Sequence, residues 1–197
     1  MNIVFMGTPE FSLPTLHKLY KSDHNIQLVV TQPDRPKGRG RESTPPPVKE
    51  FALEKKIPIL QPKKCTSLDV VKTLGELNSD VFIVVAFGQI LDESLLTLPR
   101  HFCINLHSSL LPKYRGAAPI NWAIINGETK TGVTTMKMDT GLDTGNILLS
   151  SKVSISDADD AQSLRETLAH KGSSLVLETL RQLDSGLLEP ICQNSDL

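Results

Sequence analysis

The chain has 197 residues, 39% of them hydrophobic and 22% charged, with a formal net charge of −1. That is the composition of an ordinary globular domain large enough to bury a core. It excludes a membrane span, which needs about 18 to 20 consecutive apolar residues. It also excludes an overall basic surface, so any nucleic-acid contact has to come from a local patch.

Residues 2–6, Asn-Ile-Val-Phe-Met, read as a buried strand. Gly7 follows, then Thr8 as a candidate N-cap, Pro9 as first helical residue and Glu10 as a first-turn acid. Phe11, Leu13, Leu16, Leu19 and Tyr20 then lie on one helical face. Residues 26–31 form a second strand, which completes the opening of a βαβ unit. Residues 32–50, QPDRPKGRGRESTPPPVKE, read as a long irregular segment. It carries Arg35, Lys37, Arg39 and Arg41 within seven positions. A solvated surface loop and a basic finger that grips phosphate both fit it.

Val81 to Phe87 is a nearly unbroken apolar run, suited to a parallel strand covered on both faces. Residues 102–106 form another strand. Residues 132–138 alternate polar with apolar and pair with 146–155 as a hairpin. Residues 163–183 close with a helix whose leucines fall at 164, 168, 175, 177, 180 and 183. The residues from 189 on are polar and carry no clear element.

The expected class is therefore a three-layer, Rossmann-like α/β fold with a mostly parallel sheet, its ligand site outside the carboxyl ends of the strands. A dinucleotide site is disfavoured. The first βα turn is Gly7-Thr8-Pro9-Glu10, without Gly-x-Gly-x-x-Gly, and Pro9 removes a donor that pyrophosphate needs. A Walker A motif is absent too. Cys65, Cys103 and Cys192 are far apart with no Cys-x-x-Cys spacing, and the five histidines show no His-Glu-x-x-His. Free thiols and no metal are the expectation. The N-terminus lacks a basic n-region and a signal-peptide core, which predicts a cytoplasmic location.

Three features point to chemistry. Asn105 and His107 lie two apart at a strand end, so both side chains face the same way. The segment 138–145, MDTGLDTG, places Asp139 and Asp143 in a glycine-containing loop after a strand. Phe87-Gly88-Gln89-Ile90 ends the most apolar strand, at the sheet edge where the loop after Leu106 also emerges. Taken singly, each has a bland alternative as a turn or capping residue. Together they offer an acid–base group, an amide donor and a carboxylate, a set suited to attack on a carbonyl. Ser108 and Ser109 match no nucleophile elbow. Direct transfer through a tetrahedral intermediate is therefore favoured over a covalent enzyme intermediate.

The segments NLHSSLLPKYRGAAPINWAI, GVTTMKMDTGLDTG and IVFMGTPEF resemble the formyltransferase family that uses 10-formyltetrahydrofolate, over about residues 2–190. The segment TQPDRPKGRG is similar to the basic loop of members whose acceptor is initiator methionyl-tRNA. The resemblance implies a catalytic trio of Asn105, His107 and Asp143. It implies folate contacts from Ser109, Leu110, Leu111 and Pro112, and a pteridine flanked by Phe87 to Ile90 and the Asp139–Asp143 loop. Tyr114, Arg115 and Gly116 continue the shared loop. Arg35, Lys37, Arg39 and Arg41 would face tRNA, with Arg39 reaching the acceptor stem. The family pattern further implies a catalytic domain over 1–190, with 191–197 opening a linker to a C-terminal domain. A monomer is the expectation for its assembly. A formyltransferase for a sugar-nucleotide or ribonucleotide amine, a formyltetrahydrofolate hydrolase and a non-catalytic folate-binding module are the alternatives.

Overall fold

The computed structural model describes residues 1–37 and 42–194 and forms two compact units, Met1–Cys103 and Ile104–Leu197. The first unit begins with β1 (Asn2–Gly7), α1 (Leu13–Tyr20) and β2 (Asn25–Val30). Next come β3 (Arg35–Lys37), β4 (Glu42–Thr44), α2 (Pro47–Glu54), β5 (Ile59–Leu60), α3 (Leu68–Glu76), β6 (Val81–Val85) and α4 (Glu93–Leu96). Its sheet runs β5-β2-β1-β6 with every pairing parallel. Ile3 to Met6 and all of β6 are buried, as unbroken apolar runs covered on both faces require. α1 packs against α2 and β2, burying Leu16 and Leu19.

Two expectations need correction here. Thr8 does not cap a helix. The helical entry is a 3₁₀ turn, Glu10–Ser12, flanked by Pro9, and α1 starts at Leu13. The Thr8 hydroxyl instead donates to the Phe87 carbonyl at 2.8 Å and accepts from the Gln32 amide, tying three strand ends together. The segment 32–50 is not wholly irregular either. β3 and β4 pair as a short antiparallel ribbon, and Pro47, at the first turn of α2, starts a helix inside the stretch read as loop.

The second unit holds β7 (Cys103–His107), α5 (Pro119–Ile125), β8 (Lys130–Lys137), β9 (Ile147–Ser154) and α6 (Ala161–Asp184). β8 pairs antiparallel with β9, as the hairpin reading expects, and β7 pairs antiparallel with β8. β8 alternates in sequence, yet residues 131–136 are all buried. Thr134 and Thr135 tolerate this because their hydroxyls are bonded. Thr135 Oγ1 meets Thr179 Oγ1 at 2.8 Å, and Thr134 Oγ1 donates to the Ser109 carbonyl at 2.7 Å.

α6 is capped by Asp160, whose side chain accepts from the amides of Gln162 and Ser163. Leu164, Leu168 and Leu180 are buried as predicted, whereas Leu175, Leu177 and Leu183 are only half-buried. The stripe runs instead through Gly172, Ser173, Val176 and Thr179, small side chains that let the helix lie close to the strands. A Cβ on Gly172 would sit 2.6 Å from Leu106 Cδ2.

Gly132 imposes a stricter limit. A Cβ there would stand 2.2 Å from the Ser151 backbone oxygen and 2.5 Å from Leu110 Cδ2. Overpacking against movable side chains costs ~1–3 kcal/mol, and a strand backbone yields less readily. Gly132→Ala should therefore destabilise the protein by ~3 kcal/mol or more in urea unfolding. A loss under ~1 kcal/mol would show that the hairpin can open to admit a methyl group.

Candidate functional site

The period of a strand places Asn105 and His107 on one face of β7, and both meet the same carboxylate. Asn105 Nδ2 lies 3.4 Å from Asp143 Oδ1. His107 Nδ1 lies 3.4 Å from Asp143 Oδ2. The Gly116 amide donates to that same Oδ2 at 2.9 Å. The side chains of His107 and Asp143 are 7% and 15% exposed, so the pair sits largely out of water but remains reachable. His107 Nε2 faces the Tyr114 carbonyl at 2.8 Å. A carbonyl only accepts, so Nε2 carries the proton of that bond. The imidazole thus has a partner at each nitrogen, Asp143 at Nδ1 and the Tyr114 carbonyl at Nε2.

The loop that follows β7 is held by backbone-directed bonds. Ser109 Oγ donates to the Lys113 carbonyl at 2.6 Å, and the Leu111 amide donates to Thr134 Oγ1 at 3.2 Å. The Leu111–Pro112 peptide is cis. Ser109 and Leu111 are buried, while Leu110 and Pro112 are half-buried. Tyr114, Gly116 and Ala118 all have positive φ, 58°, 83° and 56°. These left-handed residues turn the chain so that the Tyr114 carbonyl reaches His107 and the Gly116 amide reaches Asp143. Asp143 itself has φ 53°, a conformation that Asp tolerates better than most residues.

Asp139, expected near the pteridine, is exposed. Its Oδ1 accepts from the Gly141 amide at 3.1 Å and from Thr144 Oγ1 at 2.8 Å, so it shapes the loop that carries Asp143. In the first unit, the Phe87 side chain is buried and its carbonyl accepts from Thr8 and from Gln32 Nε2. Gly88, at φ 83°, and Ile90 are exposed. Gln89 bonds the Cys65 amide at 2.7 Å and the Pro62 carbonyl at 3.0 Å, a tie to the neighbouring segment.

Of the basic set, Arg35 and Lys37 lie on β3, and Arg35 is exposed, with one guanidinium nitrogen 3.2 Å from Gln32 Oε1. Arg39 and Arg41 lie outside the described residues. Among the described residues there is no group of three His, Cys, Asp or Glu placed to hold a metal, and no helix long and apolar enough to cross a membrane. The three cysteines are free, and burial pushes the Cys103 thiol up to about 12, which makes it a poor nucleophile.

Sequence reasoning missed four contributors. The Tyr114 carbonyl and the Gly116 amide act through backbone and leave no residue-type signal. Glu128 accepts from the Tyr114 hydroxyl at 2.7 Å and from Lys113 Nζ at 3.1 Å, and so fixes the residue whose carbonyl holds His107. Gln193, in the polar tail, bonds the Asp143 and Gly145 carbonyls at 2.9 and 2.7 Å.

The formyl transferase family matches residues 1–180. Among curated relatives, the methionyl-tRNA formyltransferase of Geobacter metallireducens is 56% identical over 188 residues, covering 95% of this chain and 60% of its own length. That of Caldanaerobacter subterraneus is 52% identical over 197 residues, covering 100% and 64%. The chain thus spans about three fifths of the length of these relatives. Among solved structures, phosphoribosylglycinamide formyltransferase from Bacillus halodurans superposes with a TM-score of 0.77 at 23% identity, covering 94% of this chain and 96% of its own. An N-formyltransferase from Helicobacter canadensis, in complex with folinic acid and dTDP-3-aminofucose, gives 0.73 at 22% identity, covering 98% and 67%. These likenesses show the fold, the Rossmann-like α/β class expected above.

The Glu128 contacts carry a pH signature. Hydrogen bonds from the Tyr114 hydroxyl and then from Lys113 hold its carboxyl below the usual range near 4.5. A depressed carboxyl contributes stability above its unfolded pKa and loses it as pH falls through its folded pKa. The urea midpoint of the parent should therefore converge on that of Glu128→Gln as pH falls from about 5 to about 3. Parallel profiles over that range would remove the anchoring role.

Proposed function

The chain belongs to the formyl transferase family, and from that premise we propose that it transfers the formyl group of 10-formyltetrahydrofolate to the α-amino group of methionine on initiator methionyl-tRNA. The observation that carries this reading is the single Asp143 carboxylate in contact with both Asn105 and His107. The identity to relatives named methionyl-tRNA formyltransferase supports the acceptor.

The reaction is attack of a neutral amine on an amide-like formyl carbon. A free α-amino group has a pKa of about 7.7 to 8.0, so a useful neutral fraction exists near neutral pH. Attack forms the new C–N bond and places negative charge on the formyl oxygen. Asn105 has a second amide N–H beyond the one aimed at Asp143, and it donates to that oxygen. His107, oriented by Asp143 and the Tyr114 carbonyl, supplies a second donor beside the oxygen by turning its Nε2–H from that carbonyl toward it. One donor of this kind is worth about 2.7 to 4 kcal/mol of barrier. Collapse breaks the bond from the formyl carbon to the folate nitrogen. The amine proton leaves toward Asp143, through water, and a proton is returned to the departing nitrogen.

On this reading Ser109 to Pro112 and the Asp139–Asp143 loop border the folate, within a formyltransferase domain spanning 1–190. Arg35, Lys37, Arg39 and Arg41 meet tRNA phosphates, which give affinity and salt dependence rather than base readout. The enzyme acts as a monomer in the cytoplasm.

The test mixes the protein with 10-formyltetrahydrofolate and initiator methionyl-tRNA at low salt and follows formyl-methionine, with free formate as a control channel. Formyl-methionine is the expected product, and formate alone would reassign the chemistry to hydrolysis. Asp143→Asn should lower turnover by about 10²- to 10⁴-fold with folate binding retained. Near-parental turnover in that variant would remove Asp143 from the mechanism. Arg39→Ala should weaken tRNA use and lower its salt slope by about one, with folate affinity unchanged. An unchanged slope would take the basic segment off the tRNA.

A further inference from the structure

The tail after α6 is polar and reads as featureless in sequence, yet it is pinned to the catalytic loop. Ile191 and Ile147 exchange two backbone hydrogen bonds of 2.8 Å, an isolated antiparallel bridge that sets the register of the tail. Two residues on, Gln193 spends its whole amide on the two loops around His107. Its Nε2 has two protons and meets two acceptors, the Asp143 carbonyl at 2.9 Å and the Gly145 carbonyl at 2.7 Å. Its Oε1 accepts from Arg115 Nε at 2.9 Å, and a second Arg115 nitrogen lies 3.5 Å from the Asn194 carbonyl. Arg115 stands between Tyr114, which holds His107, and Gly116, which holds Asp143.

The bonds close a ring: Asp143 carboxylate to Gly116 amide, along the chain to Arg115, across to Gln193, and back to the Asp143 carbonyl. A left-handed Asp is a conformation that persists when its surroundings over-determine it, and this ring does so. Gly145 closes the space on the other side, since a Cβ there would overlap the Lys137 carbonyl oxygen.

We infer that Gln193 is a positioning residue for formyl transfer: it holds the Asp143 backbone so that the carboxylate meets Asn105, His107 and Gly116. It touches no substrate and acts only through Asp143 and Arg115. The inference rests on the reading of Asp143 as a member of the catalytic trio. The donor bonds from Nε2 are the tether, because the acceptor bond alone holds Arg115 and leaves the Asp143 loop free.

The test uses Gln193→Ala and Gln193→Glu. The glutamate keeps the size and the bond to Arg115 but sets a carboxylate against two carbonyls. Two readouts are taken. The Gly116 amide resonance and its exchange rate report the bond to Asp143 Oδ2 without any substrate. Steady-state kinetics, with Asp143→Asn as background, report the consequence for turnover. The expected result is a shifted, faster-exchanging Gly116 amide in both variants and in Asp143→Asn. With it, kcat falls between about tenfold and a hundredfold, the scale of displacing a reacting group by up to an ångström. KM for 10-formyltetrahydrofolate is unchanged, and no further loss appears in the Asp143→Asn background.

An unmoved Gly116 amide overturns the inference. So does a moved amide with parental kcat, and so does a kcat loss that adds fully to that of Asp143→Asn. A parent protein that forms no formyl-methionine, while both variants still release Gly116, upholds the hold of Gln193 on Asp143 and overturns the functional reading instead.

Discussion

The site depends on one carboxylate serving three separate stretches of chain. Asp143 meets Asn105 and His107 from a strand and Gly116 from the loop beyond it, while its own backbone is bonded to Gln193 in the tail. A surface aspartate has no reason to adopt one geometry, because water satisfies it in many. Here a left-handed backbone, of the order of 1–3 kcal/mol above an extended one, is fixed by bonds on both sides of the residue. Loss of any partner frees the others to relax, so the geometry around Asp143 is a property of the ring rather than of one pair.

That ring is anchored in the core by polar groups that a naive reading places on a surface. β8 buries its threonines, and Thr134 bonds the Ser109 carbonyl and receives the Leu111 amide. An unbonded buried hydroxyl costs roughly 1–3 kcal/mol, so these bonds make the loop after β7 and the burial of β8 conditions of each other. α6 can approach on the other side because Gly172 and Thr179 are small, and Thr179 meets Thr135. The rigid base under His107 is therefore built from side-chain-to-backbone bonds across a tightly packed hairpin.

What was legible in the sequence follows from range. The apolar runs of β1 and β6 and the hairpin of β8 and β9 are local patterns, and they appear within a residue or two of where periodicity puts them. Asn105 and His107 on one face follow from the period of a strand alone. Asp143 is different. Turn chemistry describes Asp139 and Asp143 equally well, yet Asp139 shapes its loop while Asp143 reaches back to β7, and only the family resemblance separated them. Thr8 was misread because capping is the local option, whereas its hydroxyl serves Phe87, 79 residues away. The pairing of β3 with β4 was missed because prolines and charges mask strands of three residues. Gln193 gave no signal, since a single amide bonded to loops about fifty residues away has no periodicity to detect.

The backbone's share of this site changes how its residues should be judged. Tyr114 contributes a carbonyl to His107, and its hydroxyl contributes only indirectly, through Glu128. Gly116 contributes an amide to Asp143 from φ 83°, where a side chain is strained whatever space surrounds it. Truncating side chains one at a time would therefore register Asn105, His107 and Asp143 and overlook the backbone of the loop that holds them. The physical dependence runs the other way. The three side chains are correctly aimed because positive-φ residues at 114, 116, 118 and 143 turn the chain back on itself. The Tyr114–Glu128 contact and the Gln193 amide bond the same stretches of chain. A side chain at Gly116 would strain the backbone that presents this amide to Asp143 without removing any side-chain contact.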